Sequence, residues 1–272
     1  MLDFWAYSCI NCQRDEPYLS AWYDAYRDAG LEVIGVHSPE FAFEKDAANV
    51  ADAIEREGIA YPVVQDNDLA TWSAYRNRYW PAKYLIDESG TVRAIKFGEG
   101  SYEQTETLLR ELLHERDPEA DLPDPVTDIA ADDGEQLVAD PDDRSPEMYL
   151  SRFRQDGYDG PAALARSVTE YTLAQDQRLD TYSIGGAWEV DDESITTTED
   201  AQSRVHFHAA NVYHVLEGEG TVTVSREGEP DTVIEVSSTP NLYPLIQGDE
   251  AVEETITISY SPDITAYTFT FG

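Results

Sequence analysis

The chain of 272 residues and 30.5 kDa carries 55 acidic against 18 basic residues, a formal net charge of −37, and only Lys45, Lys83 and Lys96 are lysines. A surface so acidic repels nucleic acid and anionic membranes, which excludes both as expected partners, and the composition fits an acidic proteome adapted to high salt. No run reaches the ~18 apolar residues of a membrane span, the opening residues do not read as a charged n-region with an apolar h-region, and two cysteines, Cys9 and Cys12, exclude a disulfide scaffold and a four-cysteine metal site.

In chain order, "MLDFWA" reads as a buried strand, and Cys12 to Ala29 carries Leu19, Trp22, Tyr23 and Tyr26 at helical spacing before Gly30 closes it. "LEVIGVHS" reads as a second central strand, followed by the helical "NVADAIEREG" and by "YPVVQD". "KYLID", the turn "ESG" and "TVRAIKF" form a hairpin, and "YEQTETLLRELLHE" is an amphipathic helix. This rhythm predicts an α/β domain over residues 1–115.

From Glu115 to Glu147 thirteen acids, two arginines and five prolines fill 33 residues, so 116–146 is read as an acidic linker too polar to bury anything. Residues 147–272 follow, and "PEMYLSRFR", which starts at Pro146 on the boundary, is read as a short helical piece. They continue with "GTVTVS", "TVIEVSS", "ETITISYS" and "AYTFTFG", whose alternation between turn residues predicts an all-β sandwich or jelly roll.

The Cys-x-x-Cys spacing serves redox couples and zinc half-sites alike. Its position favours the former: Cys9 falls where strand gives way to helix, so backbone N–H groups and the helix dipole can stabilise a thiolate, and Cys12 sits one turn in as a shielded resolving thiol.

"DFWAYSCINC" resembles the active-site strand and helix of the thioredoxin superfamily, with Asp3 six residues before the first cysteine, the Phe4–Trp5 pair, and Pro17 five residues after the second. "YWPAKYLID" resembles that family's cis-proline loop, which makes Trp80–Pro81 the expected cis bond facing the disulfide. More narrowly, "YSCINC", "VIGVHSPEFAFEK", "YPVVQDNDLATWSAYRNRYWPAKYLID" and "FGEGSYEQTETLLRELL" are similar to the extracytoplasmic C-terminal region of the DipZ family of cytochrome-c-biogenesis-type reductants. The likeness continues through "SPEMYL", "HAANVYHVLEGEGTVTV" and "YTFTFG", and so covers nearly the whole chain.

The resemblance implies an α/β thioredoxin-like fold followed by an all-β jelly-roll sandwich of the carbohydrate-binding-module type. It implies an extracytoplasmic thiol-disulfide oxidoreductase that reduces disulfide-bearing substrate proteins and is fed by a CcdA-like membrane thiol-electron carrier. No cofactor beyond the Cys9–Cys12 disulfide is implied. Cys9 is then the attacking thiol, Cys12 the resolving thiol, Asp3 the acceptor of its proton and Pro81 the residue holding backbone against the sulfurs, while Trp5 and Trp80 either frame a substrate-docking groove or are core aromatics. Family members carry a membrane domain upstream and Met1 falls inside the first strand, so a truncated start is expected.

Other readings compete. A peroxiredoxin wants a threonine three residues before its nucleophile, where Ala6 stands. His37, in "GVHSPEF", reads as a surface or capping histidine, with a catalytic base as the open alternative. In "SRVHFHAANVYHVLEGEGTVTV", His206 and His208 share strand parity with His214 and echo a cupin metal site, but Val212 and Tyr213 stand where its acid belongs, and no metal is expected. Trp188, Tyr182, Tyr213, Tyr243 and Tyr260 offer candidate faces for stacking a glycan, or else are core and cross-strand aromatics. A sugar- or metal-binding β-module with a vestigial thioredoxin domain is the non-enzymatic alternative.

Overall fold

The computed structural model describes residues 1–126, 129 and 144–272, and the chain divides into two units, Met1–Glu135 and Gln136–Gly272. In the first, β1 (Leu2–Trp5) is the centre of a five-stranded sheet. It runs parallel to β2 (Ile34–His37), which pairs in turn with β3 (Val63–Gln65), and antiparallel to β4 (Ala82–Ile86), which hairpins into the edge strand β5 (Val92–Phe97). Strands β1, β2 and β4 are almost wholly buried whereas β5 alternates, as expected of central strands covered on both faces beside an edge.

Among the described residues four helices accompany this sheet: α1 (Ile10–Tyr26), α2 (Ala47–Glu57), α3 (Ala70–Ala74) and α4 (Tyr102–Arg116). The helical spacing in α1 buries Leu19, Trp22 and Tyr26 against Leu109 and Leu113 of α4 in a common core. Past Tyr26 a 3-10 turn, Arg27–Ala29, ends on Gly30 in the left-handed region (φ 103°), which a side chain would resist. Asp46 caps α2 by accepting from the Ala48 N–H at 2.8 Å. The short α3 is absent from the sequence reading.

Most of the 116–146 linker lies outside the described residues, but its beginning departs from the expectation that it buries nothing. Leu122, Val126 and Ile129 pack against the first core, the Val126 N–H donates to Glu106 at 2.7 Å, and Arg110 donates to the Pro123 carbonyl at 2.6 Å. Three apolar residues among the acids suffice to lay this segment along α4.

The second unit is the expected all-β sandwich, an antiparallel sheet of eleven strands. In chain order these are β6 (Met148–Tyr149), β7 (Thr169–Tyr171), β8 (Thr181–Val190), β9 (Ile195–Thr197), β10 (Ala201–Ala209), β11 (Val212–Glu217), β12 (Gly220–Ser225), β13 (Thr232–Val236), β14 (Asn241–Ile246), β15 (Val252–Tyr260) and β16 (Thr265–Phe271). Strand β8 changes partners midway: Thr181–Gly185 pair with β10 and Gly186–Val190 with β7 and β9. Gly186 stands at that change with φ 86°, and a Cβ there would come within 3.0 Å of Ala201. One core fills the interior, including Trp188, Phe207, Ile256 and Phe269, each fully buried.

"PEMYLSRFR" is not helical: Met148 and Tyr149 pair with Phe269 and Thr268 of β16, and the Leu150 N–H donates to the Tyr267 carbonyl at 2.8 Å. A neighbouring strand with open hydrogen-bonding groups outweighs the local helical preference.

Candidate active site

Strand β1 delivers the chain to Cys9, which is the N-cap of α1 with extended backbone (φ −82°, ψ 114°). Its Sγ accepts from the Cys12 N–H at 3.3 Å, and its carbonyl takes the N–H groups of Cys12 and Gln13 at 3.1 Å. Cys9 is partly exposed, Cys12 is buried, and the two sulfurs are not joined in a disulfide. Burial pushes the Cys12 thiol well up, and its hydrogen bond to Cys9 and the negative field of Asp3 push it further. The two sulfurs therefore differ: one is partly exposed and dressed by a backbone donor, the other enclosed.

Asp3 is 1% exposed. Loss of water raises its pKa well above the usual carboxylate range, the charge of Lys83 opposes that rise, and Asp15 and Glu16 add to it. The sheet explains the grouping, because Asp3 of β1 stands in register with Lys83 of β4. Lys83 is fully buried and forms an ion pair with Asp15, one turn beyond Cys12 on α1. Asp15 is itself raised by burial and lowered by Lys83. Glu16, held by Ser20 at 2.5 Å and by the Tyr61 hydroxyl, is raised to about 7 by burial. Sequence reasoning missed this cluster, although a lysine inside the apolar strand "AKYLI" and two acids within a core-facing helix were its signal.

Trp80–Pro81 is a cis peptide bond. The Pro81 carbonyl accepts from the Gly98 N–H at 2.8 Å, and the half-buried Trp80 donates its indole N–H to the Ser38 carbonyl at 2.8 Å while its ring meets Trp72 at 4.2 Å. Trp5 does not frame a groove: it is 5% exposed and packs edge-on against His37 at 5.0 Å. Nor is His37 a surface residue. It is fully buried, accepts the Tyr7 N–H at 3.4 Å, and burial lowers its pKa to about 4. A cavity of about 890 Å³ lies elsewhere, along α4 beside Tyr102, Glu106, Arg110 and Val126, and neither cysteine lines it.

In the second unit the histidines separate. His206 and His208 lie on the less buried face of β10, and His206 bonds the Gln177 carbonyl at 2.9 Å with its Nε2 3.4 Å from a Glu253 oxygen. His214, fully buried on β11, spans the Thr268 carbonyl at 2.8 Å and the Tyr260 hydroxyl at 3.0 Å, and burial lowers its pKa to about 3. Shared parity fails because the break at Ala210–Asn211 puts β10 and β11 in different parts of the sheet. Among the described residues no three histidines, cysteines or carboxylates are grouped to hold a metal. Tyr182, Trp188 and Tyr260 are buried, so they offer no stacking face, while Tyr213 and Tyr243 are half-buried.

Residues 1–95 match the AhpC/TSA family, and residues 145–272 match a family described as thioredoxin like C-terminal domain. Protein DipZ of Mycobacterium tuberculosis is 42% identical over 273 residues, covering 100% of this chain and 38% of the relative. The thiol-disulfide oxidoreductase YkuV of Bacillus subtilis is 29% identical over 115 residues, covering 42% of this chain and 77% of the relative. The crystal structure of a thiol-disulfide isomerase from Corynebacterium glutamicum is 24% identical, with a TM-score of 0.39, over 41% of this chain and 78% of that one. The chain thus spans 38% of the length of the DipZ relatives it matches. Over its whole length the chain is similar to part of DipZ, and its two halves match the AhpC/TSA family and the family described as thioredoxin like C-terminal domain.

Proposed function

We propose that the Cys9–Cys12 pair reduces disulfides of extracytoplasmic proteins and is itself re-reduced by a CcdA-like membrane thiol carrier. The observation that carries this reading is the inequality of the sulfurs, Cys9 partly exposed at the N-cap with a backbone donor on its Sγ and Cys12 buried one turn on. Cys9 as thiolate attacks one sulfur of a substrate disulfide, forming a mixed disulfide and expelling the other sulfur as a thiolate, which takes a proton. Cys12 gives its proton to Asp3, a carboxylate that burial makes a stronger proton acceptor than an ordinary one, and attacks the Cys9 sulfur. The substrate leaves as a dithiol and the pair is oxidised; two electrons from the carrier restore it.

Pro81 and Trp80 are assigned to the loop that receives the substrate, and the second unit to docking at the cell envelope. Insulin reduction driven by dithiothreitol tests the reading: activity is expected from the intact chain and none from Cys9→Ser. Equal turnover in Cys9→Ser overturns it. The AhpC/TSA match favours a second reading, peroxide reduction by Cys9. Ala6 in place of threonine argues against it, and a peroxide-consumption assay separates the two.

A further inference from the structure

Glu44 lies in a 3-10 turn, Ala42–Lys45, in the connection after β2, and is fully buried. Its Oε1 accepts from the Ser8 N–H at 3.3 Å and the Ser8 hydroxyl at 2.8 Å, and its Oε2 from the N–H groups of Glu40 at 2.6 Å and Phe41 at 3.0 Å. Ser8 immediately precedes Cys9. The residue before it, Tyr7, gives its N–H to His37 at 3.4 Å. The two residues leading into the attacking thiol are thus tied to two buried side chains of the β2 strand and the connection that follows it.

We propose that Glu44 is a positioning residue for Cys9, fixing through its two bonds to Ser8 the backbone from which the thiol enters α1. The inference rests on the reading of Cys9 as the attacking thiol. An ionised carboxylate accepts only and so suits all four donors, whereas a protonated one must donate. The N–H groups of Glu40 and Phe41 cannot accept, but the Ser8 hydroxyl can. A proton on Glu44 therefore goes to Oε1, turns the Ser8 hydroxyl around and weakens the 3.3 Å bond to the Ser8 N–H. The disturbance reaches the chain next to Cys9.

Burial, with the charge of Glu40 adding to it, raises Glu44 to about 7 against the pull of its hydrogen bonds, so the change falls near neutral pH. The charged group that acts on it is Glu40 on its own loop; Tyr7 and Cys9 flank its partner Ser8 in the chain, and His37 at the end of β2 takes the Tyr7 N–H. His37, lowered to about 4, stays neutral through that range. Lys45 and Asp46, next in sequence, are exposed.

The test is the rate of Cys9 alkylation by iodoacetamide, a neutral reagent, in the Cys12→Ser chain across roughly pH 5 to 9. With Glu44 present the profile is expected to show an inflection near 7 besides that of the thiol itself. Glu44→Gln is expected to remove that inflection and to change the rate at alkaline pH about three- to tenfold, the factor one hydrogen bond carries. Ser8→Ala, which keeps the carboxylate and deletes only the hydroxyl, is expected to shrink the inflection and decides the matter if Glu44→Gln does not fold. Profiles of both variants that superimpose on the parent overturn the role of Glu44 while leaving Cys9 its own. Labelling of Cys12 before Cys9 in the two-cysteine chain overturns the reading of Cys9 and this inference with it.

Discussion

Replacing Lys83 by Met keeps the length of the buried stem and deletes the ammonium that faces Asp15 and lies in register with Asp3. Removing one partner of a buried ion pair costs about 3–5 kcal/mol, because the remaining charge is left in a medium that cannot solvate it. The cost depends on pH. Lys83 lowers the pKa of both carboxyls, so without it both move further above the unfolded value of 3.8. A group raised in this way contributes stability below its unfolded pKa and loses it as pH rises through the folded pKa. The deficit of Lys83→Met should therefore grow by about 1.4 kcal/mol per pH unit for each extra proton the folded state retains. Urea unfolding at about pH 5 and pH 8 reads it, with tryptophan emission as the probe, since Trp5, Trp22, Trp72 and Trp80 lie in the first unit and only Trp188 in the second. A loss near 4 kcal/mol at the higher pH and a clearly smaller one at the lower is the expected outcome. A loss under about 1 kcal/mol, or an equal loss at both, refutes the electrostatic reasoning.

Three further outcomes follow from the same physics. Glu16, raised from 4.5 to about 7, stabilises the first unit below pH 4.5 and ceases to as pH rises through 7; Glu16→Gln should flatten that part of the stability profile by about 3 kcal/mol. His214, lowered from 6.5 to about 3, favours the fold above pH 6.5 and loses its contribution as pH falls through 3, so His214→Phe should blunt acid unfolding of the second unit followed by far-ultraviolet circular dichroism. With a net charge of −37, the thermal midpoint should rise from about 0.1 to 3 M KCl, first by screening over a Debye length that shrinks from about 10 Å to about 3 Å by 1 M; a flat or falling midpoint rejects adaptation to salt as the cause of the acidity.

What was legible in the sequence was local. Cys9, Cys12, the strand before them and the helix after them lie within one short stretch, and the alternation of β12, β13, β15 and β16 is written in period two. The buried cluster was not legible in the same way. Asp15 and Lys83 stand 68 residues apart and Glu44 and Ser8 36 apart, and only the register of β1 with β4 and the course of the chain after β2 bring them together. Trp5 and His37 misled for a related reason: an aromatic and a histidine at strand ends look presentable until the neighbouring connections cover them. "PEMYLSRFR" gave way to pairing with β16, a strand over a hundred residues later, which no local preference records.

The central claim, that Cys9 attacks and Cys12 resolves, is tested most directly by trapping. The Cys12→Ser chain, mixed with a disulfide-bearing protein such as insulin and quenched with acid, should accumulate a mixed disulfide that mass spectrometry places on Cys9, while Cys9→Ser should accumulate none. A mixed disulfide on Cys12 in Cys9→Ser, at a yield matching that of Cys12→Ser, would contradict the account.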